Sequence, residues 1–503
     1  MRYPVLVGIR AQMRAIGVVA TAVVFAAGCF SSHRAADASG GPPPVMPPPG
    51  VYDVGPAPAE GTLCPWLPEP PPDCDTGGTG YCDAGELARA LAGARPGDVV
   101  RVGRCRVSAS LSVPAGVTLA GVDPTASIVV APPNQPAIAL SAEASPSIVR
   151  CLDVTANRAP GVLVVGPGEA RVEHLTVHAP TGMGVSAEGV GRLSLHRLDL
   201  VGPVTPDNAA MQPLDPTPEE VGVFGLELKQ VGEVTIYGTT ITGFAYVGLL
   251  AIETAVTLRA TEVSRNLGSG AMFVGGPVCA RGLSSEGALQ GSRLIPAYDI
   301  VLTDGAEFHG ADVSIIESEG YAILQASSSL DVEGLVLEGN RQGGLWVQGG
   351  GETTIRGPGT RIVDNHSAGV FVCSAAAVSI SGAEISRTQG RVRVIGSRPV
   401  EIGAGLVLGA VANIRLTDIR LADNATAGMI LDLGTAPAPE IDGVFVSGTG
   451  DAFGAVAFDE FGWLGIGGWD DGVTREGAAE INDTLGGPGE PGLEGFGCPG
   501  AAP

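Results

Sequence analysis

The sequence predicts an all-β solenoid, a right-handed parallel β-helix, from three observations. A frame recurs at intervals of mostly 22 to 25 residues, strand-forming residues fill it, and one short helical pattern precedes it. The frame reads apolar-x-apolar-x-x-Asn. Leu152, Val154 and Asn157 fit it, as do Leu335, Leu337 and Asn340, and Ile419, Leu421 and Asn424. Ile362 with Asn365 and Val263 with Asn266 match its later positions, and it recurs without asparagine at Val177, Leu200, Ile241, Val313, Ile385 and Val446. Self-similarity at such a period marks a solenoid, in which each repeat buries its apolar side against its neighbours.

The frame also fits a leucine-rich repeat, and the residues after asparagine decide between the two. A leucine-rich repeat places a leucine two residues on and then a helical segment. Here that place holds Gln342, Ser367 and Thr426, each soon followed by glycine and another strand-like run, "GLWV", "GVFV" and "GMIL". Every coil therefore has at least two Val- and Ile-rich strand runs and no room for a helix. In a β-helix the apolar positions stack inward from coil to coil. Asn157, Asn266, Asn340, Asn365 and Asn424 then form a structural ladder at a turn, bonding neighbouring coils at a strand spacing of about 4.8 Å. Asparagine also tolerates the left-handed backbone that a sharp turn needs.

Ahead of the repeats, "DAGELARALAGARPGD" sets Asp83 and Glu86 at capping-box-like spacing before a short helix ended by Pro96-Gly97. An amphipathic helix, a Pro-Gly-Asp turn and then "PAGVTL" resemble the entry of pectin-lyase-like β-helix proteins. An open solenoid end exposes core and strand edges and needs such a cap. The expected layout is a signal peptide over 1–28, a tether over 29–61, a cysteine-containing cap over 62–95, the β-helix over 96–460, and a C-terminal cap and tail over 461–503. Trp463 and Trp469 read as cover for the last coil.

Arg2, Arg10 and Arg14 precede the apolar run "AIGVVATAVVFAAG", which has the pattern of a secretory signal and is too short to span a bilayer comfortably. Ala26-Ala27-Gly28-Cys29 resembles the bacterial lipobox, which implies acylation of Cys29. Phe30 stands where the resemblance associates aspartate with inner-membrane retention, so an outer-membrane lipoprotein, facing the periplasm or the cell surface, is expected. The Pro-rich "GGPPPVMPPPG" would hold the folded part off the membrane. Among 29 basic residues there is a single lysine, Lys229, and the net charge of −24 excludes nucleic acid as a partner. Eight cysteines after Cys29 suggest disulfides in an oxidising compartment, with Cys64–Cys74 and Cys82–Cys105 as the favoured local pairs. No C-x-x-C supports a zinc ribbon or a thioredoxin-like site.

Polygalacturonase-like members of the β-helix class carry paired aspartates and a downstream Gly-His-Gly. This chain has no Gly-His-Gly, and its one Asp-Asp, Asp470-Asp471, lies beyond the coils. No family catalytic residue is carried over. If the asparagines point inward, their neighbours point outward and stack. The column before asparagine holds Gly339, Asp364, Arg387 and Asp423, and the column after it Glu317, Arg341, His366 and Gln389. A carboxylate beside arginine and histidine could do acid–base work on a sugar, and an alternating charge ladder could equally be plain solvated surface. A further outward column, Asp153, Asp199, Glu262, Asp312 and Glu384, makes calcium the one cofactor to consider. His174 and His178 lack a third ligand, and no metal site is assigned.

Two functional readings follow. The first is a lipid-anchored envelope β-helix that binds or displays a glycan or protein partner without catalysis. The second is a polysaccharide lyase or glycoside hydrolase acting on the 317–423 surface. Few histidines and methionines argue against metal handling like that of periplasmic copper-associated β-helix proteins.

Overall fold

The structure, a computed structural model, describes residues 74, 78–209, 221–290, 297–395, 398–434, 439–448, 453–459, 462–463 and 473–476. Cys29, Cys64, Asp470-Asp471 and Trp469 lie outside them. The chain forms a parallel β-solenoid of about 14 turns, and helix α1, Ala84–Gly93, packs on its N-terminal end. The carboxylate of Asp83 accepts from the Glu86 N–H at 2.9 Å, which fixes the helix start. Leu87 and Leu91 are buried against the first coil.

Each coil gives one strand to each of three parallel sheets. The first sheet runs from Val99–Val102 to Glu440–Asp442 and the second from Arg106–Ser108 to Val473–Glu476. The third runs from Leu111–Val113 to Phe453–Asp459. Stacking is in register, so one inward position of the second sheet reads Val154, Val177, Leu200, Ile241, Val263, then Ser285, Ile315, Leu337, Ile362, Ile385, Leu421 and Val446. The apolar members are all 0% exposed. Each such side chain contributes roughly 1.5–3 kcal/mol by leaving water, so this single row anchors the coil repeat.

The coils turn at residues with positive φ. Between the first and second sheets these include Cys151, His174, Arg197 and Asp418, and between the second and third Arg265, Glu317, Asp364, Arg387 and Asp423. At Asn266, Asn340, Asn365 and Asn424 the left-handed residue is the one before asparagine, which corrects the expectation that the ladder asparagine itself takes that geometry. Asparagine serves by its side chain. Asn266, Asn340, Asn365 and Asn424 are 0% exposed. Each Oδ1 accepts the N–H of the equivalent residue one coil earlier, Phe244, Ser318, Asn340 and Thr388, at 3.0–3.1 Å. For Asn266, Asn365 and Asn424, Nδ2 donates to the preceding coil's carbonyl at Ile241, Leu337 and Ile385, and Asn340 donates instead to Asn365 Oδ1 at 2.7 Å. Asn157 sits at the matching place near the solenoid start, half-buried, where its backbone carbonyl accepts from the Asn134 N–H and, among the described residues, its side chain makes no ladder bond.

The glycine column beside the asparagine ladder is a packing requirement. A Cβ on Gly248 would lie 2.5 Å from Asn266 Nδ2, and one on Gly369 would lie 2.6 Å from Ile385 Cγ2. The column Gly184, Gly225, Gly248, Gly270 resumes at Gly344, Gly369, Gly405 and Gly428, with Asp299 and Ala322 between. Where the ladder position holds Ala288 and then Ser318, the Asp299 side chain takes the space. It is fully buried and accepts from the Ser285 hydroxyl and, at 3.2 Å, from the Ala288 N–H. The Ser318 hydroxyl also acts on this carboxyl, whose Oδ2 makes no hydrogen bond among the described residues.

This coil, polar where its neighbours are apolar, hides one turn of the repeat and shifts the frame after it. Ile315, not Val313, pairs with Leu337. Two expected columns are corrected by that slip. Glu317 joins the column before asparagine, with Gly339, Asp364, Arg387 and Asp423, and Glu319 takes its place beside Arg341. Asp312 turns the corner ahead of the second sheet, and Ser314 stands in the row of Asp153, Asp199, Glu262 and Glu384. A slip of two residues keeps side-chain parity, so the face was right and the column wrong.

The three long intervals contain insertions after Gly202, after Leu289 and after Gln389, all at the corner between the second and third sheets. The last is an antiparallel hairpin formed by Arg391–Ile395 and the start of Arg398–Thr417. Cys82–Cys105 forms, with its Cα atoms 5.8 Å apart. Cys64–Cys74 does not: Cys74 pairs with Cys151, because the segment ahead of the helix reaches the third coil, where Cys151 turns a corner. Among the described residues no helix is long and apolar enough to cross a membrane.

Candidate functional site

At the corner beside the asparagine ladder, Arg387 grips Asp364 bidentately, at 2.9 and 2.7 Å, across one coil step. Arg341 reaches Glu319 at 3.5 Å, and Asp423 continues the Asp364 column one coil beyond Arg387. His366 bridges in register to Gln389 in the next column. The Arg387 guanidinium holds the Asp364 carboxyl below the usual carboxylate range. A general acid needs the opposite shift, so this cluster has the chemistry of a solvated ion-pair ladder.

On the outer side of the second sheet, Asp153, Thr176, Asp199, Thr240 and Glu262 form one row. Burial pushes the carboxyls of Asp153 and Asp199 up, and His178, 3.8 Å from Asp153, opposes both shifts. Threonines separate the acids, and among the described residues no group of three His, Cys, Asp or Glu could hold a metal ion.

The first sheet carries a row that the frame analysis did not single out. Arg150, Glu173, His196, Tyr237, Arg259 and Arg281 stack outward on successive coils. With the parallel rows beside them, Arg150, Arg171, Arg192, Arg259 and Arg281 face three carboxylates, Glu169, Glu173 and Glu233. Over these six coils, in a chain of net charge −24, five arginines outnumber three glutamates, whereas the same rows continue into Glu307, Asp331, Glu333 and Glu352. Arg171 pairs with Glu169 at 2.8 Å and Arg192 with Glu233 at 2.9 Å. Arg259 lies over the Tyr237 ring, 5.6 Å from its centroid, and His196 is 6.2 Å from the same ring. Burial pushes the Glu173 carboxyl up, against the pull of Arg150 and Arg171. Burial also pushes His196 down, reinforced by Arg171, His174 and Arg197. The signal was legible: "RVE", "SLH", "TIY" and "TLR" alternate outward and inward in strand period, and reading their outward positions one coil apart assembles the row.

Other surface features are structural. Tyr298, Tyr321, Trp346 and Phe371 run along the outside of the third sheet, with the Tyr321 and Trp346 centroids 4.9 Å apart. Tyr298 and Tyr321 are only 6% and 8% exposed, so they form packed surface and not an open sugar platform. A cleft of ≈ 380 Å³ near the far end of the first sheet, at Thr417, Ile441 and Asp442, has the Arg415–Glu440 pair in its wall.

No protein-family model matches the chain, and no curated protein does. Among solved structures it is similar to the A-module of Azotobacter vinelandii mannuronan C-5 epimerase AlgE6, at 13% identity and TM-score 0.29, covering 80% of this chain and 97% of that one. It is similar to the A-module of AlgE4 from the same organism at 13% identity and TM-score 0.31, with the same coverage of each chain.

Proposed function

We propose that this chain is a lipid-anchored cell-envelope β-helix that binds an anionic glycan along its first sheet without cleaving it. The observation that carries the reading is the outward row Arg150, Glu173, His196, Tyr237, Arg259 and Arg281. Arginine on a flat parallel sheet offers planar donors at about 4.8 Å steps, and guanidinium groups match carboxylate and sulfate oxygens in pairs. Tyr237 adds a ring face for a pyranose. The disulfides Cys74–Cys151 and Cys82–Cys105 suit an exported protein, as the Cys29 motif implies. Intact-mass analysis should find diacylglycerol on Cys29, and none on a Cys29→Ser variant.

Binding and turnover screens on the detergent-solubilised chain test the rest. Acidic polysaccharides should be retained and neutral ones not, with no depolymerisation of either. The double variant Arg259→Ala/Arg281→Ala should bind at least tenfold more weakly, since charge-assisted contacts contribute about 1.5–3 kcal/mol each. Asp364→Asn and His366→Ala should leave both binding and stability unchanged, the exposed Asp364–Arg387 pair contributing only about 0–1 kcal/mol. Preference for neutral glycans, or loss of binding in the latter two variants alone, would move the site. The cleavage reading retains one foothold, Asp153 and Asp199 with their raised carboxyls beside His178. Reproducible chain cleavage abolished by Asp153→Asn or Asp199→Asn would make the protein a polysaccharide lyase or glycoside hydrolase.

A further inference from the structure

His196 is 8% exposed, yet among the described residues neither of its ring nitrogens has a hydrogen-bond partner. Buried polar groups are ordinarily paired, and an imidazole always has one N–H to place, so a buried, unpartnered imidazole suits a ligand that accepts from it. His196 alternates with inward Leu195 and projects from the outer side of its strand. Arg197 follows it in the chain. The preceding strand presents Arg171, Glu173 and His174, and the following strand presents Tyr237, with Arg259 beyond. Glu173 does not supply the missing counter-charge, since its own electrostatic partners are Arg150 and Arg171. Arg171, His174 and Arg197 all hold the imidazole in its neutral form.

We propose that His196 is a proton-linked docking point for one anionic group of the ligand, a carboxylate or a sulfate ester, seated between Arg171 and Arg197. The proposal rests on the reading that this face binds an anionic glycan. An anion there supplies both things the ring lacks, an acceptor for its N–H and a negative charge amid cations. Its arrival therefore favours the imidazolium, and by linkage each binding event takes up about one proton. Affinity rises as the pH falls through the neutral range, because binding consumes a proton.

Isothermal titration of the full chain in Tris and in triethanolamine, two cationic buffers with different ionisation enthalpies, counts the protons. Polygalacturonate serves as the carboxylate probe and dextran sulfate as the sulfate probe, and the tighter of the two identifies the source of the anion. The wild type should take up close to one proton per bound site at pH 7. His196→Gln, checked for fold by circular dichroism, should take up none. It should also bind about tenfold more weakly than wild type at pH 6 and within twofold of it at pH 8.5. Binding without proton uptake, or uptake unchanged in His196→Gln, overturns the proposal and leaves the glycan reading standing. If neither polymer binds, the glycan reading fails. The ring resonance of His196, titrated with and without inorganic sulfate, then still decides the local claim, and a midpoint that sulfate does not raise overturns it.

Discussion

Asn365→Ala should destabilise this protein by about 3–6 kcal/mol, because it strands two or three buried polar groups at roughly 1–3 kcal/mol each. Asn365 Oδ1 accepts both the backbone N–H and the side-chain amide of Asn340, and its Nδ2 donates to the Leu337 carbonyl at 2.9 Å. Alanine satisfies none of these, and with 0% exposure at the site no bulk water replaces them. The loss falls on the stacking of two adjacent coils. Since each coil in a solenoid contacts only its neighbours, unfolding should split into a broader, earlier transition. Asn157→Ala is the matched control, since its side chain makes none of the ladder bonds, and it should melt as wild type does. Thermal melts followed by circular dichroism decide the matter, and coincident curves for Asn365→Ala and Asn157→Ala would remove the ladder from the list of stabilising elements.

Asp299→Asn should stabilise the protein at neutral pH, an unusual direction for a buried substitution. Burial pushes the Asp299 carboxyl up to about 6 from 3.8, although the Ser285 and Ser318 hydroxyls and the Ala288 N–H pull it down. A raised carboxyl favours the protonated folded state, so stability is highest near pH 4 and declines as the pH rises to about 6. The full cost above that range is about 3 kcal/mol at 1.36 kcal/mol per unit. Asparagine keeps an oxygen for the Ala288 N–H and offers an amide to Ser318, so the variant should gain most of that energy at pH 7 and almost none at pH 4. Denaturant melts at the two pH values test it. A wild type equally stable at both, with a variant no better at pH 7, would show that the Asp299 carboxyl is not raised in the folded protein.

The coil repeat, the inward rows and the three insertions were legible because they rest on side-chain parity and spacing, which a linear sequence displays. The ladder asparagines were legible for the same reason. What failed was register across the one coil whose inward position is Ser285. Apolar periodicity cannot follow a polar residue that is satisfied by another polar residue fourteen positions on, Asp299. Glu317 and Asp312 were misplaced by that single slip, and the Cys74–Cys151 pairing depended on three-dimensional reach. The arginine-bearing row of the first sheet went unread for a different reason. Attention to asparagine drew the outward columns around one corner, while His196 and Tyr237 lie 41 residues apart in the chain and one coil apart in space.

Cys74–Cys151 has a mechanical meaning. A stack of coils joined edge to edge by backbone bonds is strong in shear and weak in peeling, since a pull on its end breaks one coil's bonds at a time. Tension applied ahead of Cys74 enters the solenoid at Cys151, through a covalent bond that bridges 77 residues. The first two coils and helix α1 lie between the two cysteines and carry none of that load. Cys82–Cys105 closes the same stretch a second time. Under oxidising conditions, force from an N-terminal anchor would meet the third coil first, and the end that looks most easily unzipped is bypassed. Reduction returns the load to the first strand, so single-molecule pulling from the N-terminus should give a new low-force peeling phase only when a reductant is present.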